Sequence, residues 1–236
     1  PRDGYDVYTE GMGGIMFEYP WLAGYPTNIK WDTEIPVRPV TAILADSVAR
    51  FPGHACIDFL GKRYTYAELG LLVERAARGF QELGVKKGTR VGLFLPNCPQ
   101  FVVCYFGILR AGGIVVNYSP LYAEAQLRHQ IEDSGTEMMV TLDLKALYPK
   151  IRALVSGSPL SKLVVGTMQE VLPFPKSTLF PLLKRGDIAK TEGDALEISF
   201  AELISNVSAP AAVEIDPRND VAVLQYTGGT TGVPKG

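Results

Sequence analysis

The chain has 236 residues, of which 47% are hydrophobic, 20% charged and 10% aromatic, enough apolar sequence for a sizeable core and too much for a disordered chain. The 23 basic and 25 acidic residues leave a formal net charge of −2, which excludes a nucleic-acid protein held by bulk charge and leaves no acidic or basic tail. The 24 glycines and 17 prolines follow no period, which excludes collagen.

In chain order, residues 1–38 are rich in Gly, Pro, Tyr and Trp without a long period and are expected to form an extended arm. Asp3, Asp6, Glu10 and Glu18 stand where the apolar core of a secretory signal would be. Val40 to Phe51 carries apolar residues at helical spacing and stops at Pro52–Gly53. Ala55–Leu60 and Arg63–Tyr66 flank Gly61–Lys62 as a short hairpin. Thr65 to Glu68 has the spacing of a capping box, in which hydroxyl and carboxylate each accept from a free amide at the helix start. The helix that follows puts Leu69, Leu72, Val73, Ala76, Phe80 and Leu83 on one face and ends at Gly84.

Strands are predicted at Arg90–Leu95, Ile114–Asn117, Glu137–Leu142 and Leu163–Val165, with helices at Pro99–Ala111, Glu124–Asp133 and Leu144–Val155 between them. This alternation indicates an α/β fold of βα units with a largely parallel sheet. The apolar run Phe101–Val116 is split by Gly112–Gly113 and is shorter than the ~20 residues of a spanning helix, so it reads as a buried helix turning into a buried strand. From Gly166 to Asp194 the pattern fails, and an irregular connection is expected. Within it, Leu172–Arg185 mixes Phe174, Phe180 and leucines with Lys176, Lys184 and Arg185, the composition of interfacial segments. Three prolines deny it one long helix, and a packed loop is the expectation. Ser199–Glu202 repeats the capping-box spacing before a short helix, and Asp220–Tyr226 reads as a strong buried strand.

Cys56, Cys98 and Cys104 are too few and too scattered for a disulfide framework or a zinc site, and buried reduced thiols are expected. His54 and His129 lack any metal-ligand spacing.

The segment with clear chemistry is Tyr226-Thr-Gly-Gly-Thr-Thr-Gly-Val-Pro-Lys-Gly236. After a buried strand, glycines let backbone amides approach an anion, and successive amides form an anion nest. The threonine hydroxyls add neutral donors and suit a hard cation, while Lys235 supplies a positive charge for a polyphosphate. The segment is not a Walker A loop, because Pro234 precedes the lysine and Gly236 follows it.

Residues 226–236 resemble the loop of the adenylate-forming enzymes, whose usual form is YTSGTTGxPKG. Gly228 stands where that pattern has serine; this removes one side-chain donor and keeps the backbone free. The stretches Tyr64–Leu69 (YTYAEL), Gly84–Pro99 (GVKKGTRVGLFLPNCP) and Tyr105–Asn117 (YFGILRAGGIVVN) are similar to the front half of fatty-acyl-CoA ligases. Ser119–Tyr122, His129-Gln and Asp133-Ser-Gly135 resemble the medium- and long-chain branch. The likeness covers about residues 36–170 and 216–236.

The resemblance implies the front portion of the acyl-CoA synthetase large domain, with 1–38 as an arm and 39–236 as the AMP-binding part. It implies that a carboxylate attacks the α-phosphorus of ATP, giving an acyl-adenylate and pyrophosphate, after which coenzyme A displaces AMP. By the family pattern Thr227, Gly228, Gly229, Thr230, Thr231 and Lys235 cradle the β- and γ-phosphates, and Thr227 faces Mg2+. None is a catalytic base or nucleophile. The hinge and catalytic lysine of the family lie beyond this loop. The resemblance therefore implies the leading portion of a longer enzyme, without its C-terminal domain and inactive alone. It further implies a fatty acid, ATP and CoA as partners, and a cytoplasmic location with peripheral contact at the inner face of a membrane. Three alternatives stay open: another acyl- or aryl-adenylate-forming ligase, a non-catalytic nucleotide- or acyl-binding module, and a P-loop NTPase, which the residues around Lys235 disfavour.

Overall fold

A computed structural model describes Trp21, Gly24, Pro26 and residues 28–227. The chain divides into two compact units between Val37 and Arg38. In the first, the Trp21 and Trp31 rings meet edge to face, their centroids 6.2 Å apart.

The second unit opens with helix α1 (Thr41–Arg50) and the antiparallel hairpin β1 (Ala55–Phe59) and β2 (Lys62–Thr65). Helix α2 (Tyr66–Glu82) starts on the expected capping box: Glu68 N donates to Thr65 Oγ1 at 3.2 Å, and Thr65 N donates to Glu68 Oε2 at 2.8 Å. Leu69, Val73, Ala76 and Phe80 are buried on its inner face. Gly84, at φ +94°, supplies the left-handed residue that ends it.

The sheet is built from β3 (Arg90–Leu93), β4 (Ile114–Asn117), β5 (Met138–Leu142), β6 (Lys162–Gly166), β7 (Glu197–Ser199) and β8 (Val223–Gln225). Among the described residues its order is β7-β6-β5-β3-β4-β8, and every neighbouring pair is parallel. The connecting helices are α3 (Pro99–Arg110), α4 (Glu124–Ser134), α5 (Tyr148–Val155), α6 (Lys176–Leu183) and α7 (Phe200–Leu203). The βα alternation and the parallel sheet are as expected. The β3–α3–β4 unit steps one way along the sheet and β4–α4–β5 steps back across β3, so the chain reverses direction between β3 and β5. In open parallel sheets, ligands sit outside the carboxyl ends of the strands at such a point.

Four local expectations are corrected. The connection 166–194 is not wholly irregular: it holds a 3-10 turn at Gln169–Val171 and the two-turn helix α6. Pro181 interrupts the bonding of α6 without ending it, because Leu179 N still bonds to Pro175 O and Lys184 N to Phe180 O. Nor is α6 packed, since none of its residues is buried; the buried residues are Val171 and Leu172 ahead of it. Helix α5 begins at Tyr148 rather than Leu144, because Leu144 bridges to Ile188 and Lys145 N bonds to Asp187 O. Strand β8 is three residues long and only partly buried, being the edge strand beside β4, and β7 was not foreseen.

Candidate functional site

Because β8 runs parallel to β4, its carboxyl end delivers Tyr226 and Thr227 to the edge where Asn117 and Tyr118 leave β4. Tyr226 is buried and its hydroxyl donates to Asp133 Oδ2 in the last turn of α4. Burial, then the hydrogen bond and charge of Asp133, hold the Tyr226 phenol above its ordinary range. Asn117 Nδ2 donates to Gln225 Oε1 at 2.8 Å, and Gln130 Nε2 donates to the Asn117 carbonyl at 2.8 Å. The Tyr118 hydroxyl shares hydrogen bonds with Thr136 Oγ1 at 2.7 Å and Ser134 Oγ at 3.1 Å. Burial pushes the Tyr118 phenol up to about 12. A polar network thus clamps the ends of β4 and β8 to α4. Asn117 Oδ1 and Gln130 Oε1 are buried beside it and take no hydrogen bond from the described residues.

Thr227 lies exposed at the end of this clamp, and its hydroxyl is chemically suited to an anion or a hard cation. Gly228, Gly229, Thr230, Thr231 and Lys235 lie outside the described residues. Gln130, Asp133 and Ser134 belong to the stretches that carry the resemblance but have no site role in the sequence reading, and Thr136 is not marked at all. A buried tyrosine hydroxyl before the loop signals that an acceptor is needed, without saying which residue supplies it.

At the β3/β5 reversal, Asn97 follows β3 and Asp143 follows β5. Burial lifts the Asp143 carboxyl to about 6, with the charge of Glu170 adding to the effect. Its Oδ1 is buried without a partner among the described residues. An open cavity of about 760 Å3 adjoins Asn97, Leu144, Lys145, Met168, Phe180 and Lys184. Among the described residues, no group of three His, Cys, Asp or Glu side chains could hold a metal ion. Burial pushes the Cys98 thiol up to about 11 and raises the fully buried Cys104 thiol well above its ordinary value, which disfavours the reactive thiolate at both.

An open parallel sheet with a glycine- and threonine-rich segment leaving a strand's carboxyl end defines a nucleotide-binding class of fold. Residues 44–236 match the family model described as AMP-binding enzyme, and the chain belongs to that family. It is 40% identical over 225 residues to a long-chain-fatty-acid–CoA ligase of Bacillus subtilis (strain 168), covering 94% of this chain and 40% of the relative. It is 37% identical over 230 residues to a long-chain-fatty-acid–CoA ligase of Escherichia coli O157:H7, covering 92% and 39%. The Bacillus alignment extends well beyond the two blocks of the sequence-level likeness. Among solved structures, apo MbtA of Mycobacterium smegmatis superposes with a TM-score of 0.66 at 30% identity, over 85% of this chain and 33% of that one. A long-chain-fatty-acid-CoA ligase (FadD1) from Archaeoglobus fulgidus gives 0.66 at 21% identity, over 86% and 37%, a likeness of fold alone. The chain spans about two fifths of the length of the curated relatives it matches.

Proposed function

We propose that these residues belong to an ATP-dependent ligase that activates a medium- or long-chain carboxylic acid as its adenylate and passes it to coenzyme A. The observation that carries this reading is the clamp of Tyr226 to Asp133, which holds the root of the glycine–threonine–lysine segment at the carboxyl edge of the sheet. In this reading Thr227, Gly228, Gly229, Thr230, Thr231 and Lys235 hold the β- and γ-phosphates, and Thr227 is the hydroxyl suited to Mg2+. When bound, the metal would offset phosphate charge. The role of the chain's own residues is positional: they orient the polyphosphate so that an incoming carboxylate meets the α-phosphorus with pyrophosphate as leaving group. None of the six supplies a base or a covalent nucleophile.

We assign residues 1–38 to an arm and 39–236 to the front portion of the AMP-binding domain. The complete reaction belongs to a protein of the relatives' length. The reading includes a cytoplasmic location with peripheral bilayer contact, because a long-chain acid partitions into lipid; among the described residues no helix is long and apolar enough to cross a membrane. The names of the curated relatives support the acyl class. The test is pyrophosphate release with ATP and a panel of carboxylic acids, measured in the longest natural protein that contains this chain. Release should rise with long alkyl chains; release with aryl acids alone would overturn the substrate class.

A further inference from the structure

Helix α6 turns one side toward the protein and the other toward solvent. Phe180 lines the cavity at the sheet edge with Phe59 and Met168. Leu179, Leu182 and Leu183 recur at i, i+3 and i+4 on one stripe of the helix, and Leu182 and Leu183 are 75% and 76% exposed. Phe174, just ahead of the helix, is 83% exposed, and Leu60 at the β1–β2 turn is exposed as well. The two segments form one surface. Lys176 Nζ donates to the Leu60 carbonyl at 2.8 Å, and a Cβ built on Gly61 would lie 3.9 Å from Pro173 Cγ.

The charge within the segment 171–186 has one sign. From Val171 to Gly186 there is no acidic residue, while Lys176, Lys184 and Arg185 stand among the exposed leucines. Carboxylates flank it on both sides, Glu170 before it and Asp187 after it, the latter 3.6 Å from Lys184 Nζ. Soluble proteins rarely leave such a cluster of large apolar side chains in water without a use. Apolar side chains at the same level as cations suit an interface where hydrocarbon lies just beneath phosphate. A fluid bilayer also accepts the uneven outline of a short, proline-interrupted helix, which a rigid partner would have to match in shape.

We propose that this surface seats on an anionic phospholipid bilayer. Phe174, Leu182 and Leu183 enter the headgroup–acyl boundary, and Lys184 and Arg185 meet lipid phosphates. The proposal deepens the bilayer contact included in the ligase reading. It rests on that reading only for its use, the capture of an amphiphilic acid, and binding is read without ATP or acid, so the two fail separately.

The experiment is co-sedimentation of the chain with vesicles of phosphatidylcholine alone or mixed with phosphatidylglycerol, at low and high salt. Binding to the phosphatidylglycerol vesicles, weakened by salt, is expected. The Phe174→Ser, Leu182→Ser double variant should partition roughly tenfold less or worse. Lys184→Gln with Arg185→Gln should lose roughly tenfold on the anionic vesicles and little on the neutral ones. Val207→Ser, at another highly exposed apolar residue, should bind like the natural chain. Circular dichroism checks that each variant is folded, and Leu183→Ser stands in should the double variant fail. Absence of binding to anionic vesicles, or binding unchanged by the Phe174 and Leu182 substitutions, overturns the proposal. So does light scattering that shows a dimer dissociated by those substitutions while vesicle binding persists, since the occupant would then be a second copy of the chain.

Discussion

The Tyr226 hydroxyl donates to the Asp133 carboxylate, joining the root of the glycine–threonine segment to the last turn of α4. Removing the hydroxyl takes away the charge-assisted hydrogen bond that fixes the buried Tyr226 ring, while the exposed Asp133 carboxylate is rehydrated. Tyr226→Phe should therefore destabilise the chain by about 1–2 kcal/mol. Asp133→Asn keeps an acceptor oxygen and should cost less than Asp133→Ala. Urea unfolding midpoints check this, and equal midpoints for the natural chain and Tyr226→Phe would show that the contact contributes nothing.

Asp143 gives the stability a pH dependence in the mildly acid range, up to about pH 6. Its folded pKa of about 6 is raised from 3.8, mainly by burial, so the neutral acid is the form the fold favours. The sign follows: its contribution is fully present below 3.8 and is lost as pH rises through about 6. Asp143→Asn should thus stabilise the chain above pH 6 and have little effect under acid conditions. With the group only half-buried and screened by solvent, the gain at neutral pH is about 1 kcal/mol. Thermal unfolding of the two proteins across this pH range checks it; a gain that does not change with pH would contradict the assignment.

Gly79 is where α2 meets α7. A Cβ built there would lie 2.1 Å from the Leu203 carbonyl oxygen and 2.9 Å from Leu203 Cδ1. Backbone cannot retreat as a side chain can. Gly79→Ala should cost about 3 kcal/mol or more, outweighing the ~1 kcal/mol that alanine gains in a helix. Gly186→Ala meets nothing within 4 Å and should change stability by about 0.5 kcal/mol or less. The unfolding temperatures of the pair test the packing directly.

Much of the architecture was legible because local signals agreed with each other. The Thr65–Glu68 spacing, the apolar face of α2 and the glycine after it all point to one helix, and that helix forms. Helix α6 was hidden because prolines at 173, 175 and 181 look like a broken segment, although two of them only precede the helix. The sequence from Asp220 to Tyr226 reads as a buried strand, but burial depends on neighbours, and β4 is the one partner of β8 among the described residues. The start of α5 could not be read because the backbone of Leu144 and Lys145 pairs with a segment some forty residues further on. At the candidate site, the motif marked Thr227 through its composition. The Asp133 partner of Tyr226 is set by the crossing of α4 over the sheet, which no local pattern encodes.

In the proposed ligase, the segment from Thr227 to Lys235 binds the phosphates of ATP for acyl activation. The most direct measurement is fatty-acid-dependent ATP–pyrophosphate exchange in the longest natural protein that contains this chain, with Lys235→Ala and Thr227→Val beside it. Loss of either group should lower the exchange rate by about 100-fold while the unfolding temperature stays the same. Exchange that needs no fatty acid, or that survives both substitutions intact, would contradict the account.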